Sequence, residues 1–111
     1  NVVNTNNSYG AISDARLKKL IGDCPPALAR LLNVRVREYE LKSEPGVVRH
    51  GVIAQELMEV IPELVETVAW EYPDSAPDGD DAPLMTVTYS QFVPLLIKAV
   101  QELSDRVDAL Q

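Results

Sequence analysis

The chain is predicted to fold as an α+β domain in which short helices and small antiparallel strands surround one long C-terminal helix. Three observations lead there. Val93, Leu96, Val100, Leu103, Val107 and Leu110 fall at spacings that alternate between three and four, an unbroken heptad with Val at a and Leu at d. Val34 to Leu41 and Leu84 to Tyr89 alternate in the period-two pattern of strands. Pro45-Gly46 stands between the first of these stretches and Val47 to Val52, which places a turn and a returning strand there.

Taken in order, Asn1 to Ile12 is polar and Asn-rich with Gly10 near its end, suited to an extended or turn-rich segment that packs little by itself. It reads as the tail of an upstream domain. From Ser13 to Asn33 the apolar positions Leu17, Leu20, Ile21 and then Leu28, Leu31, Leu32 keep helical spacing, broken by Gly22 and Pro25-Pro26. Two short helical pieces are expected. In the strand from Val34 to Leu41, Val34, Val36 and Glu38 share one face and Arg35, Arg37, Tyr39 and Leu41 the other. Ala54 to Ile61 is predicted to be a short helix with Leu57, Val60 and Ile61 on one side, ended by Pro62. Leu64 to Trp70 suits another strand, and the Pro- and Asp-rich stretch Tyr72 to Pro83 an exposed loop. After the strand at Leu84 to Tyr89, the final helix should begin close to Ser90, a suitable cap, because Pro94 is tolerated only near a first turn.

At 111 residues the chain holds one domain at most, with a core modest enough that partner chains would supply much buried surface. A formal charge of −7 with scattered basic residues disfavours nucleic acid and anionic membrane as partners. Cys24 is the only cysteine, which rules out an intrachain disulfide and thiolate zinc clusters; beside Pro25 it reads as a small, semi-buried apolar residue. No apolar run reaches the ~20 residues of a membrane span. The N-terminal residues lack the basic and apolar regions of a signal peptide, so a soluble domain not secreted by that route is expected. A start at Asn1 without Met suggests a piece of a longer polypeptide. Asp78, Asp80 and Asp81 invite a calcium reading, but their spacing is not that of an EF-hand loop and no bidentate Glu follows, so neither metal nor cofactor is expected.

Val at a with Leu at d favours two strands in a parallel coil, whereas Phe92, Ile97 and Ala99 widen the apolar stripe and favour more than one neighbour. A helix lying on the domain's own core gives the same periodicity. The number of strands is open at this level.

Ser13 and Lys18 supply the elements of a nucleophile and its base, provided the amine is held neutral beside the hydroxyl. A free lysine has a reference pKa of about 10.4, which burial and a neighbouring cation such as Arg16 or Lys19 would lower. On a continuous helix a separation of five does not align two side chains, but a turn at Asp14-Ala15 would bring them together. The competing account is that Ser13 or Asp14 caps a helix and Lys18 sits in solvent. His50 beside Gly51 reads as a strand-end surface residue, and nothing in the sequence positions a Cys24–His50 pair.

The runs Ser8-Tyr9-Gly10-Ala11-Ile12, Ser13-Asp14-Ala15-Arg16-Leu17-Lys18, Gly51-Val52-Ile53-Ala54-Gln55-Glu56, and Val87 through Leu103 (Val-Thr-Tyr-Ser-Gln-Phe-Val-Pro-Leu-Leu-Ile-Lys-Ala-Val-Gln-Glu-Leu) occur in one order. Together, over Ser8 to Gln111, they resemble the C-terminal intramolecular chaperone domain of bacteriophage tail spikes, tail fibres and endosialidases.

The resemblance implies a homotrimer on a parallel three-helix stem, with Val93, Leu96, Val100, Leu103, Val107 and Leu110 as its seam, that helps three fibre chains find register and then cuts itself off. It assigns Ser13 as nucleophile and Lys18 as general base of an autoproteolytic serine peptidase acting once, with the scissile bond between Ile12 and Ser13. Residues 1–12 would then end the fibre or spike and 13–111 form the chaperone. Asp14, Arg16, His50, Gly51, Gln55 and Glu56 are expected to support the site. The partners implied are two identical chains and the upstream domain of the same polypeptide; the place implied is the bacterial host cytoplasm during virion assembly, with release from the virion after cleavage. The insertion Tyr72 to Pro83 departs from the pattern and is a candidate clasp on the fibre end. A non-cleaving trimerisation cap and a free-standing Ser-Lys hydrolase are the alternatives. Whether Ser13 attacks its own preceding carbonyl or that of a neighbouring chain is open.

Overall fold

The computed structural model describes residues 10–69 and 82–111. Its regular elements, in order, are a 3-10 turn at Ala15–Leu17, helix α1 at Leu28–Leu31, strands β1 at Arg37–Glu40 and β2 at Val48–Gly51, and helix α2 at Ala54–Met58. A 3-10 turn at Pro62–Leu64, strands β3 at Val65–Val68 and β4 at Leu84–Val87, a 3-10 turn at Tyr89–Gln91 and helix α3 at Phe92–Ala109 follow. The α+β class holds, and the strands form two separate antiparallel pairs, β1 with β2 and β3 with β4.

The first pair is the expected hairpin, with Arg37 opposite Gly51 and Glu40 opposite Val48. Gly46 takes φ +88° in its turn, the left-handed region that glycine enters at little cost, and its N–H donates to Glu40 Oε1 at 2.8 Å. Of the two strand faces, that of Arg37 and Tyr39 is half-buried and that of Glu38 and Glu40 exposed. The second pair sets Val65 opposite Val87 and Val68 opposite Leu84. Trp70 and the expected acidic loop up to Asp81, with Asp78, Asp80 and Asp81, lie outside the described residues.

Leu57, Ile61, Leu64 and Val65 make the buried cluster, with Leu31, Val34, Val52, Met85, Phe92 and Leu95 packed around it. Ile61 is 0 % exposed. This follows from the amphipathic stretch Ala54 to Ile61: Leu57 N–H bonds Ile53 O and Ile61 N–H bonds Leu57 O at 2.8 Å, which stacks the two large side chains on one side. Pro62 ends the α-helical path as expected and opens the next 3-10 turn.

Three expectations change. Leu20 and Ile21 do not continue a helix: the described residues between Lys18 and Ala27 carry no helix or strand, and Ile21 is fully exposed. Cys24, in that stretch, is exposed rather than semi-buried. Ser90 does not cap α3, because the 3-10 turn takes over the first N–H groups, Gln91 N–H reaching Thr88 O and Phe92 N–H reaching Ser90 O and Tyr89 O.

Helix α3 divides its faces. Ala99 is buried, and Phe92 and Leu95 pack toward the cluster. Glu102 Oε2 accepts the N–H groups of Ala27 at 2.8 Å and Leu28 at 2.9 Å, capping α1 from across the fold. Those two amides hold the Glu102 carboxyl below its ordinary value. The heptad row Val93, Leu96, Val100, Leu103, Val107 and Leu110 faces outward, Val100 with 63 % of its surface exposed. Ile97 widens that outer row, while Phe92 and Ala99 belong to the inner face.

Candidate functional site

Ser13 and Lys18 meet. Asp14 caps the 3-10 turn Ala15–Leu17 by accepting Arg16 N–H, and Lys18 leaves the turn in an extended conformation. The tight turn, rather than a continuous α-helix, brings Lys18 Nζ to Ser13 Oγ, to which it donates at 2.5 Å. The capping account and the pairing account therefore coexist: Asp14 caps while Lys18 binds Ser13. Arg16 turns back on Asp14, with Nε 3.1 Å and Nη2 2.8 Å from the two carboxylate oxygens. The Arg16 side chain, then its backbone N–H, holds the Asp14 carboxyl below its ordinary range. Arg16 is thus engaged by Asp14 rather than by Lys18.

Every described residue from Gly10 to Pro26 is exposed, including Ile12, Ser13 and Lys18. A hydroxyl with an amine on it, one residue after Ile12, has the parts for acyl transfer at that carbonyl. Among the described residues, none covers the pair from water.

The run Gly51 to Glu56 sits on another part of the molecule. Arg37, on β1, donates from Nε and Nη2 to the two oxygens of Glu56, on α2, at 3.1 and 2.5 Å, a bidentate pair. Hydrogen bonding to Arg37, ahead of every other influence, lowers the Glu56 carboxyl from its ordinary value. His50 Nε2 lies 3.1 Å from Glu38 Oε2 across the hairpin, at an exposed position. Gly51 is buried beneath two tyrosines: a Cβ there would come 2.6 Å from the Tyr89 hydroxyl and 3.3 Å from Tyr39 Cε1. Gln55 is exposed. Among the described residues no hydrogen bond or ion pair joins the Ser13–Lys18 pair to His50, Gly51, Gln55 or Glu56.

Arg37 was given no site role by the sequence, and Tyr89 and Glu102 lay in the run Val87 to Leu103 without a role of their own. Only Gly51 carried a hint, since glycine inside a strand often permits a close approach. Among the described residues no group of three or more His, Cys, Asp or Glu gathers as a metal site. No helix among them is long and apolar enough to cross a membrane.

No curated protein matches the chain. A family model does match: Peptidase_S74, described as chaperone of endosialidase, over residues 13–66. The match begins at Ser13 and takes in Lys18, the hairpin, Gln55 and Glu56 and the buried cluster, and it ends before β4 and α3. Its name joins a peptidase type to a chaperone role, and that is the functional class the match supports. From Ser13 to Glu66 the chain thus carries the sequence pattern of the chaperone of endosialidase family, the family that its ordered motifs resemble.

Proposed function

We propose that the chain is a self-cleaving intramolecular chaperone: three copies associate through α3, assist folding of an upstream tail fibre or spike domain, and release it by cutting between Ile12 and Ser13. The observation that carries this reading is the Lys18 Nζ–Ser13 Oγ contact of 2.5 Å directly after Ile12. The uncovered Val/Leu row of α3 supports the association.

Ser13 Oγ attacks the Ile12 carbonyl carbon while the neutral Lys18 amine takes the hydroxyl proton and delivers it to the departing Ser13 nitrogen. The C–N bond breaks as an ester forms between the Ile12 acyl group and a Ser13 oxygen. Water then hydrolyses that ester, leaving the Ile12 carboxylate and a free hydroxyl. Attack within one chain and attack on a neighbour's junction give the same products. Co-assembly of unaltered chains with Ser13→Ala chains distinguishes them: attack within a chain leaves every Ser13→Ala junction whole, and attack between chains cuts some of them.

Timing follows from exposure. A lysine amine loses its proton readily near neutral pH only when desolvated or beside another cation, and Arg16 is engaged by Asp14. Cover from neighbouring copies supplies that desolvation, so cutting waits for assembly. Bringing three fibre chains into register carries a loop-closure cost that a trimeric cap lowers, and losing the cap afterwards turns fibre stability into a barrier height. The site of action on this reading is the host cytoplasm during virion assembly.

The test is Ser13→Ala and Lys18→Ala in the full parent polypeptide. Each should leave an uncut trimeric precursor on a denaturing gel after assembly. Normal cleavage of either variant would refute the assignment. The openness of the Ser13–Lys18 pair favours a second reading, a trimerisation cap that leaves the bond intact. The mass of the expressed parent separates the two.

A further inference from the structure

Among the described residues, the β1–β2 hairpin reaches the rest of the fold through few side-chain hydrogen bonds. Its other side-chain hydrogen bonds, Gly46 to Glu40, Arg49 to Glu44 and His50 to Glu38, close on the hairpin and its loop. Among the described residues, two side-chain links leave it: Arg37 to Glu56 on α2, and Val52 N–H to the Tyr89 hydroxyl at 3.0 Å. The second joins the end of β2 to the 3-10 turn from which α3 springs.

That junction is close-fitting. Tyr89 reaches Val52 only because Gly51 has no side chain; a methyl group there would lie 2.6 Å from the Tyr89 oxygen, inside contact distance. The ring of Tyr89 also lies against Phe92, the first residue of α3, with centroids 6.1 Å apart and planes tilted by 36°. Beside it, Thr88 N–H bonds Leu64 O at 2.9 Å. The chain entering α3 is held on one side by the buried cluster and on the other by the hairpin.

We propose that Gly51 and Tyr89 form a joint through which the hairpin fixes the root of α3 and hence the direction in which that helix leaves the domain. Gly51 is a positioning residue: it touches no reacting atom and acts through Tyr89. The consequence for association rests on the reading of α3 as an inter-chain stem, because three such helices meet in register only if their roots are set alike. Gly51 sits in the run Gly51 to Glu56 and Tyr89 in the run Val87 to Leu103, so the joint links two sequence features that the cutting chemistry does not use.

The joint is tested with Gly51→Ala, Tyr89→Phe and the double variant in the full chain, followed by sedimentation equilibrium, melting and amide exchange. Gly51→Ala should weaken association at least tenfold and lower the melting temperature. Tyr89→Phe removes the atom that the new methyl meets, so the double variant should recover most of both losses. Tyr89→Phe alone should speed exchange of the Val52 amide at least tenfold while the amides of Leu57 and Ile61 stay protected. That last measurement stands even if Gly51→Ala does not fold. Wild-type behaviour of Gly51→Ala, a double variant no better than Gly51→Ala, or unchanged exchange at Val52 would each overturn the joint. If the unaltered chain stays solitary, the stem reading fails, while recovery of melting temperature and the exchange result still decide the joint.

Discussion

The cluster around Ile61 and the arm from Gly10 to Pro26 occupy opposite ends of one physical scale. In the first, Leu57, Ile61 and Leu64 are buried together and each backbone turn is bonded within the fold. In the second, Leu17, Leu20 and Ile21 are as apolar as the core residues and yet stand in water around the Ser13–Lys18 pair. Apolar character alone does not bury a residue; it also needs a neighbouring surface. The cluster is packed by residues of β4 and α3, whereas among the described residues nothing buries the arm. A packed part and an exposed part are thus joined in one chain, which suits the proposed reading that cutting waits for assembly.

Substitutions widen or close that contrast. Ile61→Ala removes a fully buried side chain and should cost about 2–5 kcal/mol in denaturant unfolding, since the transfer loss and the remaining void add. A cost below about 1 kcal/mol would show that the cluster is looser than its burial implies.

Acid gives the next effect. Glu56, Glu63 and Glu102 all titrate below their ordinary value of 4.5, held there chiefly by Arg37, Arg30 and the Ala27 amide respectively. A depressed folded-state value means that the folded form binds protons less readily than the unfolded form, so these links are at full strength above pH 4.5 and are lost as pH falls through the folded-state values. A melting temperature that declines below pH 4.5, with a shallower decline in Glu102→Gln, is the expected result. An equal decline in both would remove Glu102 from the account.

The smallest change is expected in the arm. Leu20→Ser should alter unfolding of the solitary chain by no more than about 0.5 kcal/mol. A loss several times larger would mean that the arm packs on the core after all.

Much of the fold could be read from local pattern. The hairpin followed from Pro45-Gly46 between alternating stretches, the cluster from Leu57 and Ile61 on one side of a short helix, and α3 from its heptads. Those signals are carried by neighbours in sequence. The Ser13–Lys18 meeting stood beside a capping account on local pattern alone, with a turn at Asp14-Ala15 as its means, and the family resemblance turned the reading toward it. What escaped was tertiary: Arg37 finds Glu56 19 residues away and Glu102 reaches Ala27 across 75. No periodicity announces such pairs. Leu20 and Ile21 misled because helical spacing states which side chains would share a face, without guaranteeing a partner for that face. Ser90 misled because a 3-10 turn beginning one residue earlier satisfied the amides that a cap would have served.

Glu102 also constrains how α3 can roll about its long axis. Turning the Val93-to-Leu110 row inward would pull the carboxylate away from the Ala27 and Leu28 amides and lift Ala99 out of its seat. Among the described residues, nothing in a single copy can thus cover that row without breaking those contacts. On the proposed reading, dilution leaves that flank wet and association of like copies relieves it.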